Sequence, residues 1–340
     1  MAEKVNIYIT KEVHSILLKD MELFEFTKKN GDLNRNLFLN TLIANYTTEY
    51  EETKSQTYNG IRSLLETKTN LPSYEIGDLS NQVLRLIDDT TQSLQHAKTN
   101  ITLPLKPTRV SQSQYERIKK TLLANDTESN YFRQLFTSYT KLPQNTREKI
   151  IFKDVVEKLE QAIQEKKKVC LFFSNGKVQD VNPFTLCSSK EELFNYVLYQ
   201  DNHKQVQTRR LTRITNVMIL NEVSSFTNEN QEHLQWLSEN SPQFASKPLE
   251  VKVLLTDKGK ELVKRIYIHR PKRIKQDCND GYYYFETTKE QALHYFPKLG
   301  KHAVILEPES LAISVYKKLN ETSRAYWYHH KQALQKEKAK

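Results

Sequence analysis

The chain has 340 residues, 38% hydrophobic and 27% charged, too long for one ordinary compact domain and sufficient for two or three. Both charge signs are interspersed, which excludes wholesale disorder, and a formal net charge of +10 favours a polyanionic partner, nucleic acid ahead of a membrane surface. No two of the seven glycines lie closer than Gly60 and Gly77, so GxGxxG, GxxxxGK and GxSxG motifs are absent and Rossmann, P-loop and nucleophile-elbow sites are excluded in their usual forms.

In chain order, Val5, Ile7 and Ile9 alternate with Lys4, Asn6 and Tyr8, which predicts a two-faced strand over 4–10. Thr10 is placed to cap a helix whose Val13, Ile16, Leu17 and Phe24 share one side. A turn at Lys29-Asn30-Gly31-Asp32 leads to a second helix over 34–46. The same order returns near Ile101, where Ile101, Leu103 and Leu105 alternate with Thr102, Pro104 and Lys106. Ser111 and Gln114 form a capping box, and Tyr115, Ile118 and Leu122 stripe the helix that follows. A break at Asn125-Asp126-Thr127 precedes a helix bearing Phe132, Leu135, Phe136 and Tyr139. Segments 4–46 and 100–140 thus read as an internal repeat within a helical module of residues 1–150. A lone strand leaves its backbone unpaired and its apolar face bare. Strand 4–10 is therefore expected to pair antiparallel, either with strand 100–106 of the same chain or with a second copy across a two-fold axis. Between the repeats, 48–66 and 76–97 read as helices separated by Asn70-Leu71-Pro72-Ser73.

A helix over 153–165 opens a strand-rich segment, residues 151–220, and a polar linker over 221–247 carries Trp236 on a short helix. From 248–340 the pattern is strand 249–255, helix 257–265, strand 282–286, helix 288–296, strand 302–306 and helix 309–333, a ferredoxin-like α+β layer with a long terminal helix. The fold class is thus α+β and multidomain. Lys264, Arg265, Arg270, Lys272, Arg273 and Lys275 form the densest basic run, interleaved with Tyr267 and free of acids. Such a run suits a surface that tracks a nucleic-acid backbone, or is a solvated loop.

Cys170, Cys187 and Cys278 offer no CxxC pair, which reads as reduced thiols in a cytoplasmic protein. No triad, paired carboxylates or metal-ligand spacing can be assembled, so no catalytic residue, metal or cofactor is assigned and an enzyme is not expected. No apolar run approaches the ~18 residues of a membrane span.

Residues 153–220 resemble a WYL domain. The likeness lies in KVCLFF (168–173), VNPFTL (181–186), NYVLYQD (195–201) at the place of the Trp-Tyr-Leu signature, and RRLTRI (209–214). The signature stands here as Asn195-Tyr196-Val197, Arg209 replaces an aromatic, Thr212 an Asp, and Gln207 a basic residue. FPKLGKHAVILEPESL (296–311) resembles the extension that commonly follows a WYL domain. A ribbon-helix-helix-like module ahead of these is similar in layout to the WYL accessory proteins of type VI-D CRISPR loci.

The resemblance implies an Sm-like small β-barrel with a groove of Arg and aromatic side chains that holds a single strand. Tyr196, Arg210 and Arg213 carry over, Phe173 stands where the family prefers Tyr, and Arg209 supplies replacement charge. In a continuous strand over 209–214, Arg210 and Arg213 point to opposite faces, so one groove holds both only if the strand bends. The reading is a non-enzymatic regulator that binds single-stranded RNA, or single-stranded DNA, and modulates a CRISPR-type RNA-guided effector nuclease. The alternative is a ligand-responsive transcriptional regulator with Lys4, Asn6 and Tyr8 in the major groove of duplex DNA. Exposure of those three side chains separates the two readings. Thr102, Pro104 and Lys106 on the second strand are poor base readers, and Asn34-Arg35-Asn36 could hold a phosphate in either case. A homodimer is expected, through the ribbon or through the terminal helix bearing Leu311, Val315, Leu319 and Tyr326.

Overall fold

The computed structural model describes residues 4–93, 101–121, 127–276 and 281–338. The chain divides into two compact units, Met1–Glu157 and Lys158–Lys340. The first holds β1 (Val5–Ile9), α1 (Lys11–Leu23), α2 (Arg35–Lys68), α3 (Ser73–Ser93), β2 (Ile101–Leu105), α4 (Gln112–Thr121), α5 (Glu128–Lys141) and α6 (Gln144–Ile151), while α7 (Lys153–Gln164) runs across the division.

The alternation of β1 sends Ile7 and Ile9 into the core, and that of β2 sends Leu103 and Leu105 with them. The two strands pair antiparallel within the chain, Val5 opposite Leu105 and Ile9 opposite Ile101. Helix α5 lies against β1 and buries Phe132, Phe136 and Tyr139 completely. Thr10 caps α1 by accepting from the Val13 amide at 3.3 Å. Helix α2 does not stop at Tyr46 as the sequence pattern implies. No glycine or proline follows there, and the buried Thr47 hydroxyl bonds back to the Ile43 carbonyl at 2.6 Å, so the helix runs on to Lys68.

Two buried polar clusters tie this unit together. Asn40 is fully buried; its Nδ2 donates to the carbonyls of Asn36 (2.7 Å) and Lys106 (3.1 Å), and its Oδ1 accepts from the Thr108 amide (2.8 Å) and the Ser111 hydroxyl (2.5 Å). The Ser111 hydroxyl thus serves Asn40, and Gln114 accepts from Ser113, which replaces the expected capping box. Asp20, also fully buried, receives Arg147 in a bidentate pair, Nε to Oδ2 at 2.7 Å and Nη2 to Oδ1 at 2.9 Å, and the Tyr139 hydroxyl at 3.0 Å. Burial and the neighbouring carboxylate hold the Tyr139 phenol well above its ordinary value. Of the break expected at Asn125-Asp126-Thr127, the first two residues lie outside the described residues, and Thr127 caps α5.

In the second unit, β3 (Lys167–Phe173), β4 (Val178–Ser188), β5 (Asn195–Asp201), β6 (Val206–Arg210) and β7 (Ile214–Val223) form an antiparallel sheet in the order β6-β5-β4-β3-β7. Register shifts at Pro183/Thr185 in β4 and at Phe172/Phe173 in β3 interrupt the ladders. The implied barrel is not closed. The chain passes from β6 to β7 through a 3-10 turn, Leu211–Arg213, and no ladder joins those two edges among the described residues.

Helix α8 (Asn228–Asn240) follows, then β8 (Pro248–Leu255), α9 (Asp257–Arg265), β9 (Lys272–Gln276), β10 (Tyr282–Thr288), α10 (Lys289–Tyr295), β11 (Ala303–Glu307) and α11 (Glu309–Lys338). Their sheet order, β11-β8-β10-β9, is a βαββαβ layer with the first and third strands central. The sequence pattern misses β9, whose Lys and Arg side chains lack apolar alternation. Val251, Val253, Phe285, Tyr295, Phe296 and Leu299 form its core. Cys170 and Cys187 carry no disulfide, Cys278 lies outside the described residues, and no described helix is long and apolar enough to cross a membrane.

Replacing Asp20 by Ala leaves Arg147 buried without its carboxylate and should lower stability by about 3–5 kcal/mol, whereas Asp20→Leu with Arg147→Met should cost far less. Urea unfolding of the three proteins, followed by circular dichroism, checks the comparison. A Cβ at Gly259 would stand 2.1 Å from the His302 carbonyl oxygen. Gly259→Ala should therefore destabilise the second unit by about 2 kcal/mol or more, read as a lowered thermal midpoint.

Candidate nucleic-acid interface

The β3–β4 hairpin sets the first half of the site. Asn175-Gly176 forms its turn, with Gly176 at φ +81°, the Gly176 amide on the Phe173 carbonyl at 3.0 Å, and the Phe173 amide on the Lys177 carbonyl at 2.9 Å. The Ser174 amide then donates to the Arg213 carbonyl at 3.0 Å, which ties the hairpin to the 3-10 turn after β6. Phe173, Ser174, Lys177, Gln179, Arg209 and Arg213 consequently line one pocket of about 290 Å³, with three cations and no carboxylate among the lining side chains. Arg209 and Arg213 are exposed, while Phe173 is buried. Tyr199, fully buried one strand away, has its phenol pushed up by burial, an effect that the charge of Arg209 opposes.

Arg210 is placed elsewhere. It faces Tyr196 across the β5–β6 ladder, and its guanidinium lies 3.2 Å from the centroid of the Phe194 ring. Tyr196 is buried and donates its hydroxyl to Glu192. The His269 ring lies between the same loop's carboxylates, Nδ1 3.3 Å from Glu191 and Nε2 3.2 Å from Glu192, and is flanked by Phe244. The expected set of Phe173, Tyr196, Arg209, Arg210 and Arg213 is therefore split. Phe173, Arg209 and Arg213 share the pocket, and Arg210 and Tyr196 join a packed cluster behind it. Lys177 was not singled out from the sequence, although the Asn-Gly turn beside it is a hairpin signal.

The basic run folds around a cleft. Lys264 at the end of α9, Arg270 in the loop, and Lys272 and Arg273 on β9 line it opposite Trp236 of α8, in a volume of about 560 Å³. Arg265 is exposed outside the lining, and the side chain of Lys275 lies outside the described residues. On the ribbon, Lys4, Asn6 and Tyr8 are exposed, Tyr8 at 48%, and Asn6 and Tyr8 stand opposite Pro104 and Thr102. At the start of α2, Asn34 caps the helix through the Leu37 amide, and Asn36 accepts from the Lys106 amide at 3.0 Å, so both side chains already hold backbone.

No family model and no curated protein matches the sequence. A solved structure described as a CRISPR Cas-related protein superposes with a TM-score of 0.68, covering 97% of this chain and 95% of that one at 16% identity. At that identity the likeness shows the fold alone. Proteasome accessory factor B/C of Arthrobacter aurescens gives a TM-score of 0.23 at 17% identity, over 65% of this chain and 36% of that one, and supports no argument.

Helix α8 is anchored by His233, whose Nε2 stands 3.0 Å from the Ser246 carbonyl. Burial, aided by the nearby Lys247, holds this imidazole below its ordinary value of 6.5. Below pH 6.5 the unfolded chain takes up the proton first, so stability should fall as pH drops through that value. His14 and His294 are lowered by burial too and act in the same direction. Urea midpoints at a series of pH values should show this decline, and His233→Gln should make it shallower.

Proposed function

We propose that the protein is a non-enzymatic regulator that binds single-stranded RNA through the pocket of Lys177, Arg209 and Arg213. The observation that carries this reading is the convergence of three cations, without a carboxylate, in one pocket beside the buried Phe173. Such a site takes phosphates irrespective of sequence. The WYL-like motifs of β3 to β7 and the ribbon-helix-helix-like order of β1, α1 and α2 fit the same reading. Fold similarity to a CRISPR Cas-related protein supports a role beside an RNA-guided nuclease, whose activity the bound strand would modulate. A homodimer through α11 accords with its exposed Leu319 and Tyr326, joined by Tyr316 and Trp327, whereas Leu311 and Val315 pack against the core beside β11 and are not free for it.

A second reading has its own support. Lys4, Asn6 and Tyr8 are exposed on the outer face of a two-stranded ribbon, as a reader of duplex DNA requires. The opposing Pro104 and Thr102 give that face few groups able to read base edges, which ranks this reading second.

Fluorescence-anisotropy titrations with matched single-stranded RNA, single-stranded DNA and duplex DNA across a salt series test both. Arg209→Ala with Arg213→Ala should weaken single-strand binding at least about tenfold and flatten the log–log salt slope by about 1.4, two phosphate contacts' worth. Tight duplex binding that survives this pair and collapses with Lys4→Ala and Asn6→Ala would replace the first reading by the second.

A further inference from the structure

We propose that the cleft between α8 and β9 is a separate ligand site and that its ligand is a nucleoside phosphate. Its volume of about 560 Å³ lies within the ~300–1,000 Å³ in which proteins hold small organic ligands. Lys264, Arg270, Lys272 and Arg273 line it against two carboxylates, Glu239 and Glu286. Glu286 is engaged 3.6 Å from Lys272, and Arg270 donates one Nη1 hydrogen to the Val263 carbonyl at 3.2 Å. Lys264 and Arg273 have no ion pair among the described residues. Donors therefore remain for an anion, and a phosphate matches the arginine fork.

The rest of the lining suits a base. The half-buried Trp236 and the buried Phe285 are both in its lining. An acidic peptide would satisfy the cations but bring no ring to Trp236. The basic run that reads from the sequence as an open surface or a solvated loop thus lines one side of an open cleft, with α8 supplying residues to the other. Trp236 also packs against the cluster of Leu198, Leu234 and Leu237, so its ring is shared between the cleft and the five-stranded sheet.

Trp236 and Trp327 are the only tryptophans, so Trp327→Phe leaves a single reporter in the cleft. The full chain with that change is titrated with the four ribonucleoside 5′-monophosphates, the matching nucleosides and inorganic phosphate, following tryptophan emission. A saturable change with a monophosphate is expected, with affinity at least about tenfold weaker for the nucleoside and for the Lys264→Ala, Arg273→Ala chain. Calorimetric titration of Trp236→Phe should show the same loss by an independent readout. Absence of a saturable change up to about 10 mM overturns the proposal, as does a change that survives the loss of both cations or one that inorganic phosphate reproduces in full. A response to oligonucleotides alone also overturns it, by making the cleft part of a strand's path. Parallel titration of the Arg209→Ala, Arg213→Ala chain keeps this result distinct from the fate of the RNA pocket.

Discussion

The hydrogen bond from the Ser174 amide to the Arg213 carbonyl ties the β3–β4 hairpin to the turn after β6, and the geometry of the pocket at Arg209 and Arg213 depends on it. In an unbroken strand, side chains alternate between faces. Here β6 ends at Arg210 and the next three residues turn as a 3-10 helix, so the alternation is reset before Arg213. The Ser174 bond then holds the turn against the β3–β4 hairpin. Gly176, at φ +81°, allows that hairpin the tight closure in which Phe173 and Lys177 flank the same recess. A handful of backbone bonds therefore gathers residues from three separate segments around one concentration of positive charge.

Alternation along β6 divides the adjacent arginines by environment. Arg210 falls on the face of β6 that looks at Phe194 and Tyr196, where its guanidinium is half-buried and stacked. A guanidinium tolerates such a place because it is weakly hydrated and its planar face suits an aromatic ring. Glu192 accepts from Tyr196 and also stands beside His269, whose backbone occupies φ +63°. Through this chain of contacts, the loop before β5 is held to the segment between α9 and β9. The cluster around Tyr196 is thus a joint inside the second unit, and the charge lining the pocket comes instead from Arg209, Arg213 and Lys177.

Much of this architecture was legible because period and burial agree. The alternation at 5–9 and at 101–105 marks both strands of the ribbon, and a lone strand requires a partner, but the pattern alone does not choose between this within-chain pairing and a second copy. The α+β character of the last ninety residues followed from strands and helices of ordinary pattern. What was not legible involves groups whose role is set by distant partners. Asn40, Asp20 and Arg147 read as polar residues on helices, yet each is buried by a neighbour tens of residues away. Strand β9 is hidden by its Lys and Arg content, tolerated because β9 is the edge of its sheet. The opposite placement of Arg209 and Arg210 follows from alternation within β6, whereas the turn at Leu211–Arg213 is not advertised by the run RRLTRI.

The ribbon and the pocket make different physical demands, and this bears on which reading the molecule favours. Reading duplex DNA from a two-stranded ribbon needs donors and acceptors on both strands at matched positions. Along β1 and β2 the outward pairs are Asn6 with Pro104 and Tyr8 with Thr102. Pro104 has neither a side-chain donor nor a backbone N–H, and it occupies the position opposite the best base reader on the face. A within-chain ribbon also lacks the symmetry by which two identical strands would present the same residues twice. Holding the phosphates of an unpaired strand needs charge without matched partners, and the pocket at Arg209 and Arg213 gathers three cations from a single turn and hairpin. The asymmetry of the ribbon is therefore an argument for the pocket, independent of the pocket's own charge.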